Sequence, residues 1–172
     1  MLTPDPIVPG AQALADLKAF LRLDTDADDP LLGDLVAAAL AQGEGFTGLA
    51  LIERVHVEVR ALTPVWSRLT AEPVRAITGV VGAYEGVLPA GAVEIDIDAD
   101  ARGRLRSDVP RLVRITYRAG LAASWEALPD DLRLGVLRLA AHLYAGRDRA
   151  DDPGVPGGVL ALWRGYKRMG LA

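Results

Sequence analysis

Val109 to Asp148, VPRLVRITYRAGLAASWEALPDDLRLGVLRLAAHLYAGRD, is the stretch from which the rest of the chain can be read. Arg111 to Arg118 has strand character, with Leu112 and Val113 near its start and Ile115 and Tyr117 following. A short connection leads to Pro129. From there one long helix is predicted, with Asp130 and Asp131 suited to the positive end of its dipole. Its apolar face takes Leu132, Val136, Leu139 and Leu143, flanked by Leu137, Ala140 and Tyr144. Asp131, Arg138, His142 and Arg149 form a polar stripe. Nothing in the stretch has the residue types of a catalytic site. Its pattern is that of a part that packs, by a strand on one side and a helix on the other.

Working outward, residues 1–10 hold three prolines and read as an extended arm. A first helix is predicted over Ala11 to Leu23, with Leu14, Leu17 and Leu21 as its stripe and Phe20 beside it. The acidic turn DTDADD follows. Asp29-Pro30 then looks like an N-cap with proline at the first helical position. The second helix runs to about Gln42, burying Leu32, Leu35, Val36, Ala39 and Leu40, and Gly43, Gly45 and Gly48 end it.

The period then changes. Val55, Val57 and Val59 alternate with Arg54, His56, Glu58 and Arg60, which makes a half-buried strand. Weaker strand signals lie at Trp66–Thr70 and Val74–Tyr84. Val93, Ile95 and Ile97 alternate with Glu94, Asp96 and Asp98, and DADARG turns the chain into Arg102–Arg106, a predicted hairpin. Residues 148–158 are rich in Asp, Gly and Pro and read as a loop. A last short helix, Val159 to Met169, presents Leu162, Trp163 and Tyr166.

The resulting expectation is an α+β fold that is mainly an α-helical bundle: two N-terminal helices, one long helix and a short C-terminal helix, with an antiparallel β insertion. It is read as a single domain, divided into arm (1–10), helical hairpin (11–48), β-rich insertion (50–120), long helix (129–149) and loop with closing helix (150–172).

The 172 residues allow one domain with a real core, and the mean hydropathy of +0.20 favours folding. No apolar run reaches the roughly 18 residues of a membrane span, so no membrane partner is expected. MLTPDPIVPG lacks the basic and apolar regions of a secretion signal. The absence of cysteine removes disulfides, thiolate chemistry and Cys-based zinc sites. A net charge of −4 argues against a dedicated nucleic-acid binder. The charges are uneven: residues 1–34 carry seven acids against Lys18 and Arg22, whereas the last 17 residues carry Arg164, Lys167 and Arg168 and no acidic side chain. Such asymmetry suits head-to-tail assembly, and equally suits two solvated surfaces.

Several motifs dissolve on inspection. Gly43-Glu-Gly45-Phe-Thr-Gly48 spells a dinucleotide fingerprint but follows a helix and precedes a strand, so it reads as a helix stop. Asp96, Asp98 and Asp100 resemble a calcium loop, yet Ala101 and Ser107 stand where glycine and an acid are needed. His56 and His142 have no metal-ligand neighbour at helical spacing. Ser67, Ser107 and Ser124 sit in no nucleophile elbow. No catalytic residue, cofactor or metal is expected. The first two helices could pass for a helix-turn-helix, but their connection is acidic where a phosphate would lie and LLGDLVAAALAQ has little with which to read bases. Trp163 and Tyr166, on a tethered helix with three cations, read either as interface anchors or as a helix docked on the protein's own core.

Ordered pieces of the chain resemble the head–tail connector, or adaptor, proteins of tailed bacteriophages, prophages and gene transfer agents. LADLKAFLRLDTDADDPLLGDLVAAALAQGEGFTG resembles the family's opening, and EPVRAITGV an internal strand entry. Tyr117-x-Ala119-Gly120, Leu128-Pro-x-Asp-Leu-Arg133 and Ala141-His-Leu-Tyr-x-x-Arg147 follow in order. VPGGVLALWRGYKRMGL resembles the closing segment, with Trp163-Arg164-Gly165 replacing a Leu-x-Pro-type ending. The resemblance implies a structural virion protein, not an enzyme. About twelve copies would form a ring under the portal, at the virion neck, extending the DNA channel. Its partners would be further copies, the portal protein, a head-completion (stopper) or tail protein, and double-stranded DNA in non-specific passage. By the same resemblance the portal contact falls on Leu160, Trp163, Arg164, Tyr166, Lys167 and Arg168. Another neck protein, such as a stopper or tail-completion subunit, is the neighbouring alternative. A helix-turn-helix regulator is the more distant one.

Overall fold

A computed structural model describes residues 1–84, 86–147 and 154–167. The chain divides into two compact units: residues 1–6 with 53–121, and residues 7–52 with 122–172.

The first unit is built of β-structure. Strands β1 (Leu2–Pro4), β2 (Arg54–Leu62), β7 (Arg111–Ala119) and β4 (Val74–Gly82) form an antiparallel sheet in the order β1-β2-β7-β4. Strands β3 (Ser67–Arg68), β6 (Gly103–Arg106) and β5 (Glu94–Ile97) form a second sheet in the order β3-β6-β5. The predicted hairpin is β5–β6, with Glu94 opposite Arg106 and Asp96 opposite Arg104. Both pairs are closed by ion pairs, of 2.8 and 2.6 Å. Asp98 accepts the backbone N–H groups of Asp100 and Arg102 at the hairpin turn. The beginning of the proline-rich arm is itself a strand: Leu2 to Pro4 pair with β2, and the Met1 amino group donates to the Val59 carbonyl at 2.9 Å.

Side chains from both sheets make one core. Leu62, Val74, Val113, Ile115, Tyr117 and Ala119 come from the larger sheet, and Leu69 and Leu105 complete it. In β2 the alternation is present, but the face turned inward is the polar one. His56 and Glu58 are only 2% and 3% exposed, while Val55, Val57 and Val59 remain half-buried.

The second unit is helical: α1 (Ala11–Leu21), α2 (Asp29–Thr47), α3 (Asp130–Gly146) and α4 (Gly157–Trp163). Leu17 of α1, Leu32, Val36 and Leu40 of α2, and Leu132, Val136 and Leu139 of α3 are buried. Trp125 is buried ahead of α3 and donates its indole N–H to Asp16 of α1 at 2.8 Å.

Two expectations need correction. The fold is not a mainly helical bundle with a β insertion. The described residues form four helices and seven strands in two antiparallel sheets, about 36% helix and 27% strand. The strands are not an appendage, because they close a hydrophobic core of their own. Second, α2 does not stop near Gln42. It continues through Gly43 and Gly45 to Thr47, with Gly48 as a left-handed cap. A helical glycine costs roughly 1 kcal/mol relative to alanine. At Gly43 that cost is offset by close packing: a Cβ there would lie 3.1 Å from Leu51 Cδ1 and 3.4 Å from the Trp163 ring.

Candidate functional site

The closing segment is positioned by one side chain. Trp163, the last residue of α4, is fully buried. Its indole N–H points to the Leu132 carbonyl at 3.4 Å, and its ring lies 6.2 Å from that of Phe46 in α2. The indole lies so close to α3 that a Cβ on Gly135 would be 2.1 Å from its Nε1. Gly135 is therefore the notch that admits Trp163. Pro156 precedes α4 and accepts the N–H of Val159 at 2.9 Å, which starts the helix. Beyond Trp163 the chain tightens into a 3-10 turn, Arg164–Tyr166.

Docking by Trp163 sorts the other candidate residues. Leu160 and Tyr166 are half-buried, and Arg164 and Lys167 are exposed. The Lys167 ammonium lies 5.2 Å from the Phe46 ring centroid. Arg168 falls outside the described residues. Of the two roles open to Trp163, the structure assigns it docking on the helical unit's own core. The cations beside it remain on the surface.

The acidic head is partly neutralised in place. Lys18 of α1 reaches Asp26 at 2.5 Å and Asp29 at 2.8 Å. These hydrogen bonds and charges raise the Lys18 pKa, the Asp26 contact contributing most. Tyr144 of α3 donates to Asp28 at 2.5 Å. The turn between α1 and α2 is thus tied down from both sides. Leu32, Val36, Ala39 and Leu40 of α2 belong to the core, so that helix does not present a free base-reading face.

The β unit holds a buried polar cluster that sequence reasoning missed. Glu58 accepts the Arg60 Nε–H at 2.7 Å, the Thr70 N–H at 3.1 Å, the Thr70 hydroxyl at 3.0 Å and the Tyr117 hydroxyl at 3.2 Å. Arg60 also donates to Ser67 at 2.8 Å, and Tyr117 accepts the Ala71 N–H at 3.1 Å. His56 stacks on Tyr117 at 5.4 Å. Burial is the main cause that pushes the Tyr117 hydroxyl well above the usual tyrosine range, keeping it a donor to the carboxylate. The cluster is a brace between β2, β7 and the segment carrying β3. Among the described residues, no group of three or more acids and histidines could hold a metal.

Gly135 was also missed. The available signal was a glycine inside a strong helical pattern, which marks a close approach. Gly135→Ala gains helix propensity but drives a methyl into the Trp163 ring. A net loss of about 1–3 kcal/mol is expected from overpacking, read as a lower urea midpoint with an unchanged slope.

No protein-family model and no curated protein matches the chain. Solved structures do. The chain is 30% identical to a chain from the neck of an empty GTA particle computed with C6 symmetry, with a TM-score of 0.80 and coverage of 100% of this chain and 97% of that one. A chain from the virion of the native gene transfer agent is 31% identical with a TM-score of 0.75, at the same coverage. A chain from the native GTA neck computed with C12 symmetry is 29% identical, also with a TM-score of 0.75 and the same coverage. A fold shared over the whole chain with these neck and virion chains defines a structural protein of the phage and gene-transfer-agent neck type. The chain belongs to the family of these gene-transfer-agent particle proteins.

Proposed function

We propose that the protein is a head–tail adaptor: a ring of about twelve copies that sits under the portal, extends the DNA channel and joins capsid to tail. The observation that carries this reading is similarity over the whole chain, at 30% identity, to a chain of a GTA neck computed with cyclic symmetry. Its role is structural rather than catalytic. The closing segment is the portal contact. Trp163 seats the helix on its own subunit, which holds Arg164 and Lys167 at the surface, with Leu160 and Tyr166 beside them and Arg168 following in sequence. The cations pair with portal carboxylates. The slightly acidic subunit, at net −4, lets DNA pass without holding it.

The test is to mix the protein with the portal ring of the same particle and measure the mass of the complex by light scattering. A gain of about twelve subunits is expected. Arg164→Glu combined with Lys167→Glu should weaken binding by roughly tenfold or more, with a steeper loss at low salt. A well-formed portal that binds no protein would overturn the adaptor role and favour a stopper or tail-completion subunit on the tail side.

A further inference from the structure

An antiparallel sheet with one covered face normally turns its polar residues to water. Strand β2 does the reverse. His56 and Glu58 point into the core of the β unit, and Val55, Val57 and Val59 point away from it. The outward apolar surface continues across the sheet. Ala61 stands opposite Leu112 of β7, and Ala76 and Val81 of β4 stand opposite Arg118 and Arg114. Leu112 is 38% exposed and Val81 39%. The outward positions of β2, β7 and β4 include no lysine, aspartate or glutamate. Their two charges are arginines: Arg114 between Val59 and Val81, and Arg118 between Val55 and Ala76. Apolar side chains with arginine, and without lysine or acids, are the composition of a protein interface. Arg118 is held by Glu53 at 2.8 Å, whereas Arg114 is exposed and has no ion pair among the described residues.

Two copies of this face do not suit each other, because a symmetric pair sets arginines against arginines. Two cations among valines are also few for a duplex, whose binding scales with the phosphates neutralised. The matching surface is acidic and partly apolar, and the other unit of the same chain carries one. The β unit is neutral, with ten acids and ten bases; the helical unit holds thirteen acids against nine bases and so the whole net charge of −4. Between α1 and α3, Leu134 and Leu137 line a groove rimmed by Asp16, Asp130 and Asp131. Arg133, the one cation in that lining, is paired with Asp130, and Asp131 is exposed. Helices laid on a sheet are a standard packed layer. Faces from two different units make a heterologous contact, which generates a ring when the rotation closes.

We infer that the outward face of β2, β7 and β4 is a contact between copies of this chain, covered by the acidic α1–α3 groove of the next copy, with Arg114 set against Asp131. This rests on the ring proposed above and names the two surfaces that close it. Burial of Glu58 and His56 is then the counterpart of presenting three valines to a neighbour.

A charge swap tests it. Arg114→Glu and Asp131→Arg are made singly and together; both positions are exposed, and each variant is checked for an unchanged urea midpoint. Assembly mass is read by light scattering at high concentration, free and on the portal ring. Wild type is expected to form a multi-copy assembly. Either single variant should weaken association by roughly tenfold or more, because it sets like charges together. The chain carrying both changes should regain it. An equal mixture of the two single variants should regain it too, since alternating copies have opposite charges at every contact. Assembly indifferent to the single variants, or lost without either rescue, overturns the inference and keeps the ring. No assembly of wild type, free or on the portal, overturns both. Salt-sensitive duplex binding that Arg114→Glu removes would make the face a DNA surface and overturn the contact. The rescue pattern without portal binding keeps the contact and removes the adaptor reading.

Discussion

Trp163→Ala is expected to lower the stability of the helical unit by about 3–5 kcal/mol, the usual cost of emptying a large aromatic site in a core. The indole is fully buried, with Gly43, Gly135 and Phe46 around it. The cavity cannot close easily, because both glycines lie inside helices whose backbones are held elsewhere: Gly43 in α2 and Gly135 in α3. Urea unfolding followed by far-UV circular dichroism measures the loss. Hydrogen exchange of residues 157–167 reads the second half of the effect. Once Trp163 is removed, α4 has only Val159 as a fully buried side chain, and seven residues are too few for a stable isolated helix. Its amides should therefore exchange without protection. If the protein is the portal adaptor proposed above, portal binding falls with them, since Arg164 and Lys167 would no longer be presented from a fixed turn. Retention of both stability and protection would mean that the helix is held by something other than its tryptophan.

Glu58→Ala is expected to cost the β unit a comparable amount, about 3–5 kcal/mol, because it removes one member of a buried ionic cluster and strands the others. Arg60 loses the carboxylate that it meets through both Nε and Nη2, while the Thr70 N–H and the Tyr117 hydroxyl lose an acceptor. Tyr117→Phe removes one donor and should cost only about 1 kcal/mol. The raised Tyr117 pKa adds a pH signature. The phenol is neutral in the folded state, so its contribution is complete below the unfolded tyrosine value of about 10 and is lost as pH rises above it. Glu58→Ala, Tyr117→Phe and wild type compared by urea midpoint give the series. A Glu58→Ala change within about 0.5 kcal/mol, the usual effect of a surface substitution, would mean that the carboxylate faces solvent.

That surface outcome is what alternation alone suggests. Val55, Val57 and Val59 against Arg54, His56, Glu58 and Arg60 show that β2 has two unlike faces, and the apolar face is the natural one to turn inward. Alternation cannot say what else is available to satisfy the polar face. Glu58 is buried because Thr70 and Tyr117, 12 and 59 residues away, supply donors when β2 lies against β7 and the second sheet closes over them. A one-residue change in facing moves every side chain of a strand to the other side, so the choice was made by partners remote in sequence. The same holds at Trp163. Its spacing on the last helix fits an interface anchor or an intramolecular dock equally well. What decides is Gly135, a residue on another helix whose missing Cβ is the space the indole occupies.

Sequence alone determined the positions of the long elements. The apolar stripes at 3.6-residue spacing located α1, α2 and α3, and the proline before Asp130 and the aspartates after it marked where α3 begins, because those signals are local and depend on backbone physics. It also determined the resemblance to the neck proteins, through residues in a fixed order. Only the tertiary structure decided that the inserted strands close a core of their own and make the fold other than a mainly helical bundle, which side of β2 faces that core, and that α2 runs on through Gly43. Each of these depends on side chains brought together from distant parts of the chain, and no local pattern carries that information.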